Sequence, residues 1–399
     1  MKFSHINYVL LLSATTSAFA GQALALDGQD LLNKINASYG KQGATLSAGK
    51  IEVQGNTIVL KGLQAKPAGD EAPLNVGDVT LSDVQENADG GYRVGKASFP
   101  EFGFLQDGVN AKISGFEMGD IAIPGDPNKE GIDGFFYARS IKTGAASVKQ
   151  ADAELVSFSS LDVSSDLRSD KSGFDFSGTV ADIKAKLDKI VTDPQAHDAV
   201  QKMSIQNITG NVTTKGSWDL GPGTIDLSSL AFSFNNVGKL DISLKFSGYT
   251  LAFLKSLQET TEQAKQNANQ GEAQQALGMA MLGLMQQLTL DSARIRFDDA
   301  SITKRALDYA GSMQNVSGQQ MAASIKGIVP LMMGQLNMPD LQNAVSAAVN
   351  TYMDDPKSFT VAVAPPKPVP LPTIMGAAMG APNTIPNVIG LKISANSAD

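Results

Sequence analysis

Histidine and cysteine, the side chains behind most nucleophilic catalysis and zinc binding, are almost absent from this 399-residue chain. Cysteine does not occur, and His5 lies near the N-terminus, which leaves His197 beside Asp198. A Ser-His-Asp triad, a Cys-His pair or a histidine-based zinc site would each depend on His197. A solvated histidine on a short helix is the simpler interpretation. A nucleophile elbow, a phosphate loop and a dinucleotide fingerprint are also missing.

Two pairs of adjacent aspartates are the other candidates for catalysis. Residues 298–299 and 354–355 are each Asp-Asp, and glycoside hydrolases work with two carboxylates. Both pairs lie at predicted element boundaries, where Asp commonly caps or turns the chain. Carbohydrate sites also use aromatic platforms, and the chain has one tryptophan, Trp218. We therefore expect a non-enzymatic protein, with a hydrolase as the alternative.

One loop has the spacing of a calcium site. Asp126, Asn128 and Glu130 occupy the first, third and fifth positions of a calcium loop, and Gly131 occupies the sixth. The twelfth position is Tyr137, where a calcium loop needs a bidentate glutamate. An acidic loop between strands is the interpretation that we favour, and we expect no cofactor.

Methionine is concentrated in the C-terminal half. Eight of the fourteen methionines are Met279, Met281, Met285, Met313, Met321, Met332, Met333 and Met338. Flexible thioethers fill irregular cores and also form adaptable surfaces for hydrophobic ligands. Three interpretations follow: a helical core packed on a sheet, a lipid or partner surface, and a copper(I) site. Copper is disfavoured because the histidines that usually accompany such a site are absent.

The stretch from Leu230 to Phe246 is the clearest structural signal, and any binding surface depends on it. Large apolar residues alternate with small or polar ones, which predicts two strands that each have one apolar and one solvated face. The apolar set is Leu230, Phe232, Phe234, Leu240, Ile242, Leu244 and Phe246. An isolated pair of strands is unstable, so another element must cover this face.

The turn in this hairpin decides whether the two apolar sets share a face. A four-residue loop would set Phe234 opposite Lys239 and separate the two sets. A three-residue loop at 236–238, with Gly238 left-handed, instead pairs Phe234 with Leu240. We predict this second register, which also pairs Phe232 with Ile242 and Leu230 with Leu244.

The first 25 residues indicate export. Lys2 precedes an apolar run at 8–12, and small residues end at Ala20 and at Ala25. These are features of a secretory signal peptide that is cleaved after Ala25 or after Ala20. A chain without cysteine has no disulfide and no lipoprotein anchor, which favours the periplasm of a Gram-negative bacterium. The net charge is −8 and is scattered, which disfavours nucleic acid and anionic membrane surfaces as partners.

An amphipathic helix is predicted directly after the signal peptide, over residues 27–42. Asp27 caps it, and Gly40 or Gly43 ends it. Its apolar side consists of Leu31, Leu32, Ile35 and Tyr39.

A series of strands follows this helix. An apolar residue, a glycine and a charged residue recur at 76–78, 94–96, 118–120 and 237–239. We predict that each occurrence is a turn that begins a strand. Because the recurrence has no fixed period, it indicates a meander of hairpins and not a solenoid or a propeller.

Beyond Gly248 the sequence becomes helical. Predicted helices cover residues 251–267, 272–288, 301–310, 317–329 and 340–353, and strands return at 290–297, 358–364 and 388–393. The most apolar stretches, 276–288 and 325–338, are too short to span a bilayer. We divide the chain into a signal peptide at 1–25, an N-terminal helix and sheet region at 26–248, and a helix-rich region at 249–399.

Phrases in the C-terminal region resemble those of an uncharacterised family of exported alphaproteobacterial proteins. They are Phe297-Asp298-Asp299-Ala300-Ser301, Tyr352-Met353-Asp354-Asp355-Pro356 and Ile374-Met375-Gly376-Ala377-Ala378. The resemblance spans most of the mature chain and implies no activity. More loosely, repeated amphipathic hairpins followed by helices are similar to the AsmA-like envelope proteins, whose curved sheets are associated with lipid handling.

Together these features predict an α+β protein with an elongated, twisted antiparallel sheet and a C-terminal helical cap. We expect an envelope protein that binds a lipid or another amphiphile in a groove between the sheet and the Met-rich helices. The predicted groove residues are Phe232, Phe234, Ile242, Leu244, Phe246, Met279, Met281, Met285, Met332 and Met333. The alternative is a structural or protein-interaction role in the envelope, in which the protein's own helices fill the sheet face.

Overall fold

The computed structural model describes residues 26–39, 44–67, 73–106, 108–266 and 270–398. The predicted signal peptide and the predicted helix stops Gly40 and Gly43 lie outside the described residues. The described residues form twenty strands and ten α-helices, and all the strands belong to one antiparallel sheet. The predicted α+β class with a large twisted antiparallel sheet is confirmed.

The first twelve strands build a bent sheet. In chain order, β1 to β12 are Ala44–Ser47, Lys50–Gln54, Thr57–Pro67, Leu74–Glu86, Tyr92–Ser98, Phe102–Gln106, Val109–Ile113, Glu117–Ile123, Tyr137–Thr143, Ala146–Gln150, Ala153–Phe158 and Ser160–Leu167. Many are halves of longer strands: β5 pairs with β8 while its continuation β6 pairs with β7. The same division puts β9 beside β12 and β10 beside β11. Strands β6, β7, β10 and β11 therefore form a second branch of the sheet, which rejoins the main sheet where Val156 and Ser157 of β11 pair with Ala185 and Lys184.

The remaining strands extend the main sheet to the C-terminus. In chain order, β13 to β20 are Gly173–Lys186, Asn207–Asp219, Thr224–Phe234, Gly238–Ser247, Thr289–Asp299, Ser358–Val363, Val369–Pro370 and Leu391–Ala395. From β12 to β18 each strand pairs with the next one in sequence, and β20 then pairs with β18. This up-and-down order confirms the predicted meander.

The 230–246 hairpin forms, but its register differs by two residues from the predicted one. Phe234 lies opposite Gly238 and Phe232 opposite Leu240, so the loop is 235–237. The left-handed residue is Asn236, with φ 57°, and asparagine adopts this conformation more readily than most residues. A shift of two residues leaves each side chain on its predicted face, so the two apolar sets still coincide.

Three of the four predicted turn phrases lie inside strands, so that prediction was wrong. Residues 76–78, 94–96 and 118–120 belong to β4, β5 and β8. Glycine is required there by close approach: a Cβ on Gly95 would lie 2.8 Å from the Asp83 Cβ, and one on Gly119 would lie 2.5 Å from the Ser140 Oγ. Glycine inside a strand often marks such contacts.

The helices agree with the predicted ones to within a few residues, apart from the C-terminal segment. In chain order, α1 to α10 are Gly28–Tyr39, Leu187–Ile190, Pro194–Lys202, Leu251–Gln266, Gln270–Met285, Ile302–Met313, Gly318–Gly334, Pro339–Asp354, Leu371–Gly380 and Ile385–Val388. The strand predicted at 388–393 begins later, at Leu391, because α10 runs to Val388 and Gly390 turns the chain with φ 60°.

Helix α1 covers the first part of the sheet. The Asp27 Oδ1 accepts hydrogen bonds from two backbone N–H groups of the first turn at 2.9 and 3.0 Å, so Asp27 caps the helix as predicted. Leu31, Leu32 and Ile35 are buried and belong to the same core cluster as residues of β3, β4, β5 and β8. One end of the sheet therefore has a closed hydrophobic core.

The other helices gather at the two ends of the strands. α2 and α3 join β13 to β14, and α6 to α8 join β17 to β18, at the end marked by the 235–237 turn, which we call end A. α4 and α5 join β16 to β17, and α9 and α10 lie between β18 and β20, at the end marked by the Ser247–Thr289 pair, which we call end B. Helix α8 packs along β20.

Candidate functional site

A single row of directly paired residues crosses fourteen strands on one face of the sheet. From β2 to β20 its members are Val53, Ile58, Leu81, Ala97, Met118, Ile141, Val163, Gly178, Thr214, Leu230, Ile242, Ile295, Val361 and Ile393. Directly opposed residues in antiparallel strands point to the same face. With strands about 4.8 Å apart, the row is roughly 60 Å long.

Parallel rows widen this surface between β12 and β20. One joins Leu161, Val180, Val212, Phe232, Leu240, Phe297, Phe359 and Ala395, and another joins Leu167, Phe174, Trp218, Ile225, Phe246, Leu290 and Val369. The five predicted groove residues of the hairpin therefore share one face. We call the surface formed by these rows the apolar face.

The apolar face is closed near its N-terminal strands and open near its C-terminal strands. Under α1, Ile58 and Leu60 are 0% and 2% exposed. In contrast, Ile295 is 51% exposed although its strand, β17, is paired on both sides. Its neighbours Ile242 and Val361 are partly exposed. A large apolar side chain in the interior of a sheet is normally covered, so this exposure identifies an uncovered surface.

Aromatic side chains border the apolar face at both ends. At end A, Tyr352 of α8 packs edge-on against Phe359, with ring centroids 5.6 Å apart. At end B, a chain of ring contacts of 5.2–6.2 Å connects Tyr137, Phe174, Trp218, Tyr249 and Phe253. The Trp218 Nε1 donates a hydrogen bond to the carbonyl oxygen of Tyr249 at 2.9 Å. Burial raises the pKa of the Tyr249 hydroxyl.

The opposite face carries polar and charged residues, including one buried carboxylate. Asp241 is 4% exposed, accepts hydrogen bonds from the Ser229 Oγ at 2.8 Å and the Arg294 Nη2 at 3.2 Å, and pairs with Lys239. Burial by itself would raise the pKa of Asp241, but the hydrogen bonds from Ser229 and Lys239 and the neighbouring positive charges outweigh it, and the pKa is lowered. The hairpin is therefore amphipathic, as predicted.

A pronounced concave surface lies away from the 230–246 hairpin. A concave surface of about 640 Å³ is lined by Arg93, Arg139 and Arg168 together with Asp120 and Asp166. These charges are paired: Arg93 and Arg139 with Asp120, Arg139 also with Asp166 at 2.5 Å, and Arg168 with Asp175 and Asp219 outside the concave surface. None of the predicted groove residues lines this surface.

The predicted groove methionines are more exposed than a helical core would allow. Met279, Met281, Met285 and Met332 are 68%, 39%, 44% and 63% exposed, and Met333 is partly exposed. Three of them belong to α5, which packs mainly against α4. A packed methionine core is therefore not what the structure shows for these residues, whereas Met321 of α7 is buried.

The aspartate pairs act locally in the structure. Asp299 accepts hydrogen bonds from the backbone N–H groups of Ser301 and Thr303, both at 2.8 Å, at the start of α6. Asp354 and Asp355 form ion pairs with Lys326 and Lys357. His197 lies on the short helix α3, which Asp193 caps.

The 126–131 loop has the contacts of an acidic turn. The Asp126 Oδ1 accepts a hydrogen bond from the backbone N–H of Asn128 at 2.8 Å, and Lys129 lies 3.8 Å from Asp89. In the described part of the chain, no group of three or more His, Asp or Glu side chains is placed to hold a metal ion. Calcium binding by Asp126, Asn128 and Glu130 stays a prediction.

Comparison with known proteins gives a family match without a function. The model of a family described as "Uncharacterized protein" matches residues 231–396, less than half of the chain. The match begins in β15 and includes the hairpin turn, α4 to α10 and the open part of the apolar face. A search of curated proteins finds no match. Among the described residues, no helix has the length and hydrophobicity needed to cross a membrane.

Proposed function

We propose that this protein is an exported, non-enzymatic envelope protein that holds an acyl chain or another amphiphile against its apolar face. The observation that carries the proposal is the long row of paired side chains, apolar except at Gly178 and Thr214, with Ile295 half exposed in the interior of the sheet. The hairpin residues Phe232, Phe234, Ile242, Leu244 and Phe246 form the floor. The proposal includes the exposed methionines of α5 and α7, because their flexible side chains suit a hydrophobic ligand.

In this proposal, the binding free energy comes from non-directional burial of the ligand's apolar surface. Each methylene group transferred from water to an apolar surface contributes about 0.8 kcal/mol, so a long acyl chain that covers part of the row gains several kcal/mol without a specific polar contact. The rows run across the strands and contain no charged residue. Such a surface suits a flexible chain better than a polar metabolite.

The remaining parts of the proposal concern location and relationship. The N-terminal segment and the absence of cysteine support export to the periplasm of a Gram-negative bacterium. The proposed relationship to exported alphaproteobacterial proteins rests on the three C-terminal phrases, which lie inside the region that the family model matches. The curved amphipathic sheet supports the looser likeness to AsmA-like envelope proteins.

Ligand binding can be tested by native mass spectrometry and lipid extraction of the purified protein, followed by titration with a fluorescent C16 fatty acid. We expect saturable binding, and we expect Ile295→Asp to weaken it at least tenfold because a carboxylate would lie in the open part of the row. The structural alternative predicts no co-purified lipid and no saturable binding.

The matched control is Ser292→Asp in the same strand. Ser292 lies opposite Lys245 on the polar face, so the same charge is added where water and a cation already surround it. We expect affinity within twofold of the wild type. Equal weakening by both substitutions would show that the fatty acid does not occupy the apolar face.

A further inference from the structure

We propose that end B is a docking surface for a zwitterionic lipid bilayer, with α5 and α9 entering its interfacial region. This proposal rests on the two helices and not on the sheet row, so it stands whether or not the apolar face holds a ligand. The proposal depends on the apolar residues that the two helices expose, on the contact between their ends, and on the absence of charged and aromatic residues from both segments.

Helix α5 exposes its apolar side and buries little. Met279, Met281, Leu282 and Met285 are all at least 39% exposed, and only Leu284 is buried among the large residues near them. At 100° per residue the exposed set covers about 160° of the helix circumference. A surface helix in water normally shows a polar side to the solvent, whereas the exposed residues 276, 278–283 and 285 of α5 are all apolar or glycine, as expected of a helix in contact with another apolar phase.

Helix α9 presents a second apolar surface beside the first. Met379 is 88% exposed. The backbone N–H of Leu371, where α9 begins, donates to the carbonyl oxygen of Leu288, just after α5, at 2.9 Å. Strand β19, which precedes α9, pairs with Leu290 and Thr289. The C-terminal end of α5 and the N-terminal end of α9 therefore lie close together at end B.

The composition of this surface favours lipid over a protein partner. No charged residue occurs between Glu272 and Asp291, or between Lys367 and Lys392. Neither segment contains an aromatic residue or an arginine, the anchors that dominate specific protein interfaces. Leucine, methionine and small residues bind a hydrocarbon phase without directional contacts.

The charge pattern of the chain indicates whether the bilayer is neutral or anionic. The chain has a net charge of −8, and both segments are uncharged over their length, so electrostatic attraction to anionic lipid is not the driving force. We therefore expect binding to neutral bilayers that is insensitive to salt. A helix of 16 residues is about 24 Å long and would lie in the plane of the interface.

The experiment is co-sedimentation of the full-length purified protein with phosphatidylcholine vesicles. We expect the wild type to bind, with a partition coefficient that changes less than twofold between 0.1 and 0.5 M NaCl. Met279→Asp/Leu282→Asp should lower it at least tenfold. The control Leu105→Asp/Met313→Asp adds the same two charges at residues that are 75% and 55% exposed elsewhere, and should change it less than twofold.

A second readout does not depend on loss of binding. Because the chain has no cysteine, Leu282→Cys and Leu105→Cys can each carry a single polarity-sensitive fluorophore. We expect a blue shift on vesicle addition at position 282 and none at 105. Absence of wild-type binding, binding only to anionic vesicles, equal effects of the two double substitutions, or a shift only at 105 would overturn the proposal.

The two proposals fail separately. Ile295→Asp is expected to lose the fatty acid and keep vesicle binding. Leu282→Asp/Met379→Asp, at two exposed residues that are not among the predicted groove residues, is expected to lose vesicle binding and keep the fatty acid. Loss of both by either variant would mean that the two surfaces are one.

Discussion

Ile242 and Ser243 are neighbours in sequence whose side chains lie on opposite faces of β16. Ile242 opposes Leu230 and Ile295, and Ser243 opposes Arg294. We expect Ile242→Asp to lower the free energy of unfolding by about 2–3 kcal/mol because a carboxylate would lose hydration on the apolar face. Ser243→Asp, which places the charge beside Arg294, should change it by about 0.5 kcal/mol or less. Urea denaturation measures both, and similar midpoints would contradict the face assignment.

Asp241 should make stability depend on pH. Its pKa in the folded protein is lower than the ordinary value of 3.8. A lowered pKa contributes stability that is complete above 3.8 and is lost as the pH falls through the folded-state value. We expect Asp241→Asn to remove part of the acid-induced loss of stability between pH 5 and pH 2, and to cost about 1–3 kcal/mol at pH 7.

The control for this prediction is Asp226→Asn. Asp226 lies on the same sheet face and pairs with Lys245, but both side chains are partly exposed, and such pairs contribute about 1 kcal/mol or less. If both variants show the same pH profile in urea titrations, burial of Asp241 is not what sets its contribution.

At the scale of single residues, capping was predictable and exposure was not. Asp27 and Asp193 cap their helices as the sequence indicates, because a cap depends on neighbours within one turn. The same locality explains why the Asp298-Asp299 pair was correctly placed at an element boundary. The exposure of Met279 depends instead on where α5 lies relative to the rest of the chain, which its own periodicity does not contain.

At the scale of elements, Gly238 explains the register that sequence reasoning missed. It lies opposite Phe234 and Asp299, and a Cβ there would lie 2.6 Å from the Phe297 ring and from the Asp298 carbonyl oxygen. The requirement for glycine therefore comes from the next strand, 59 positions later, and from the backbone of Gly238 itself, whose φ of 156° other residues rarely adopt. Asn236 is the left-handed residue of the turn. A sequence window around the hairpin cannot distinguish these two causes.

Gly238→Ala should therefore destabilise the protein by about 1–3 kcal/mol, because β17 must move to accommodate the methyl group. The matched control is Gly221→Ala in the turn between β14 and β15, where a Cβ would meet no atom within 4 Å. That substitution should be neutral, or stabilising by less than about 1 kcal/mol. Thermal melts of the two variants give the comparison, and a Gly238→Ala protein as stable as the control would argue against the contact with Phe297.

At the scale of the whole molecule, the class and meander could be predicted but the long row could not. Alternation identifies each strand and its apolar face, and short turns identify sequential pairing. The row from Val53 to Ile393 depends on every register in between, and one error of a single residue would invert the faces beyond it. Ile295 is half exposed because the C-terminal helices lie at the two ends of the strands and not over it, and the sequence of β17 does not contain this placement.

We expect that the α4–α5 hairpin can be shortened without unfolding the protein, whereas α1 cannot be removed. Helices α4 and α5 pack mainly against each other, and the residues near their base that are buried are Phe253 and Leu284. We therefore expect replacement of residues 258–278 by a short Gly-Ser linker to change stability by about 1 kcal/mol, since a shorter loop also costs less closure entropy.

Removal of α1, residues 26–39, should have a much larger effect on stability. Leu31, Leu32 and Ile35 are at most 9% exposed, and loss of three such side chains removes about 5–9 kcal/mol of burial, so this variant should lose its cooperative thermal transition. Circular dichroism melts of both deletions test the difference. If shortening α4–α5 is as damaging as removing α1, the exposed methionines belong to a core, and their substitution would report on folding and not on contact with a bilayer.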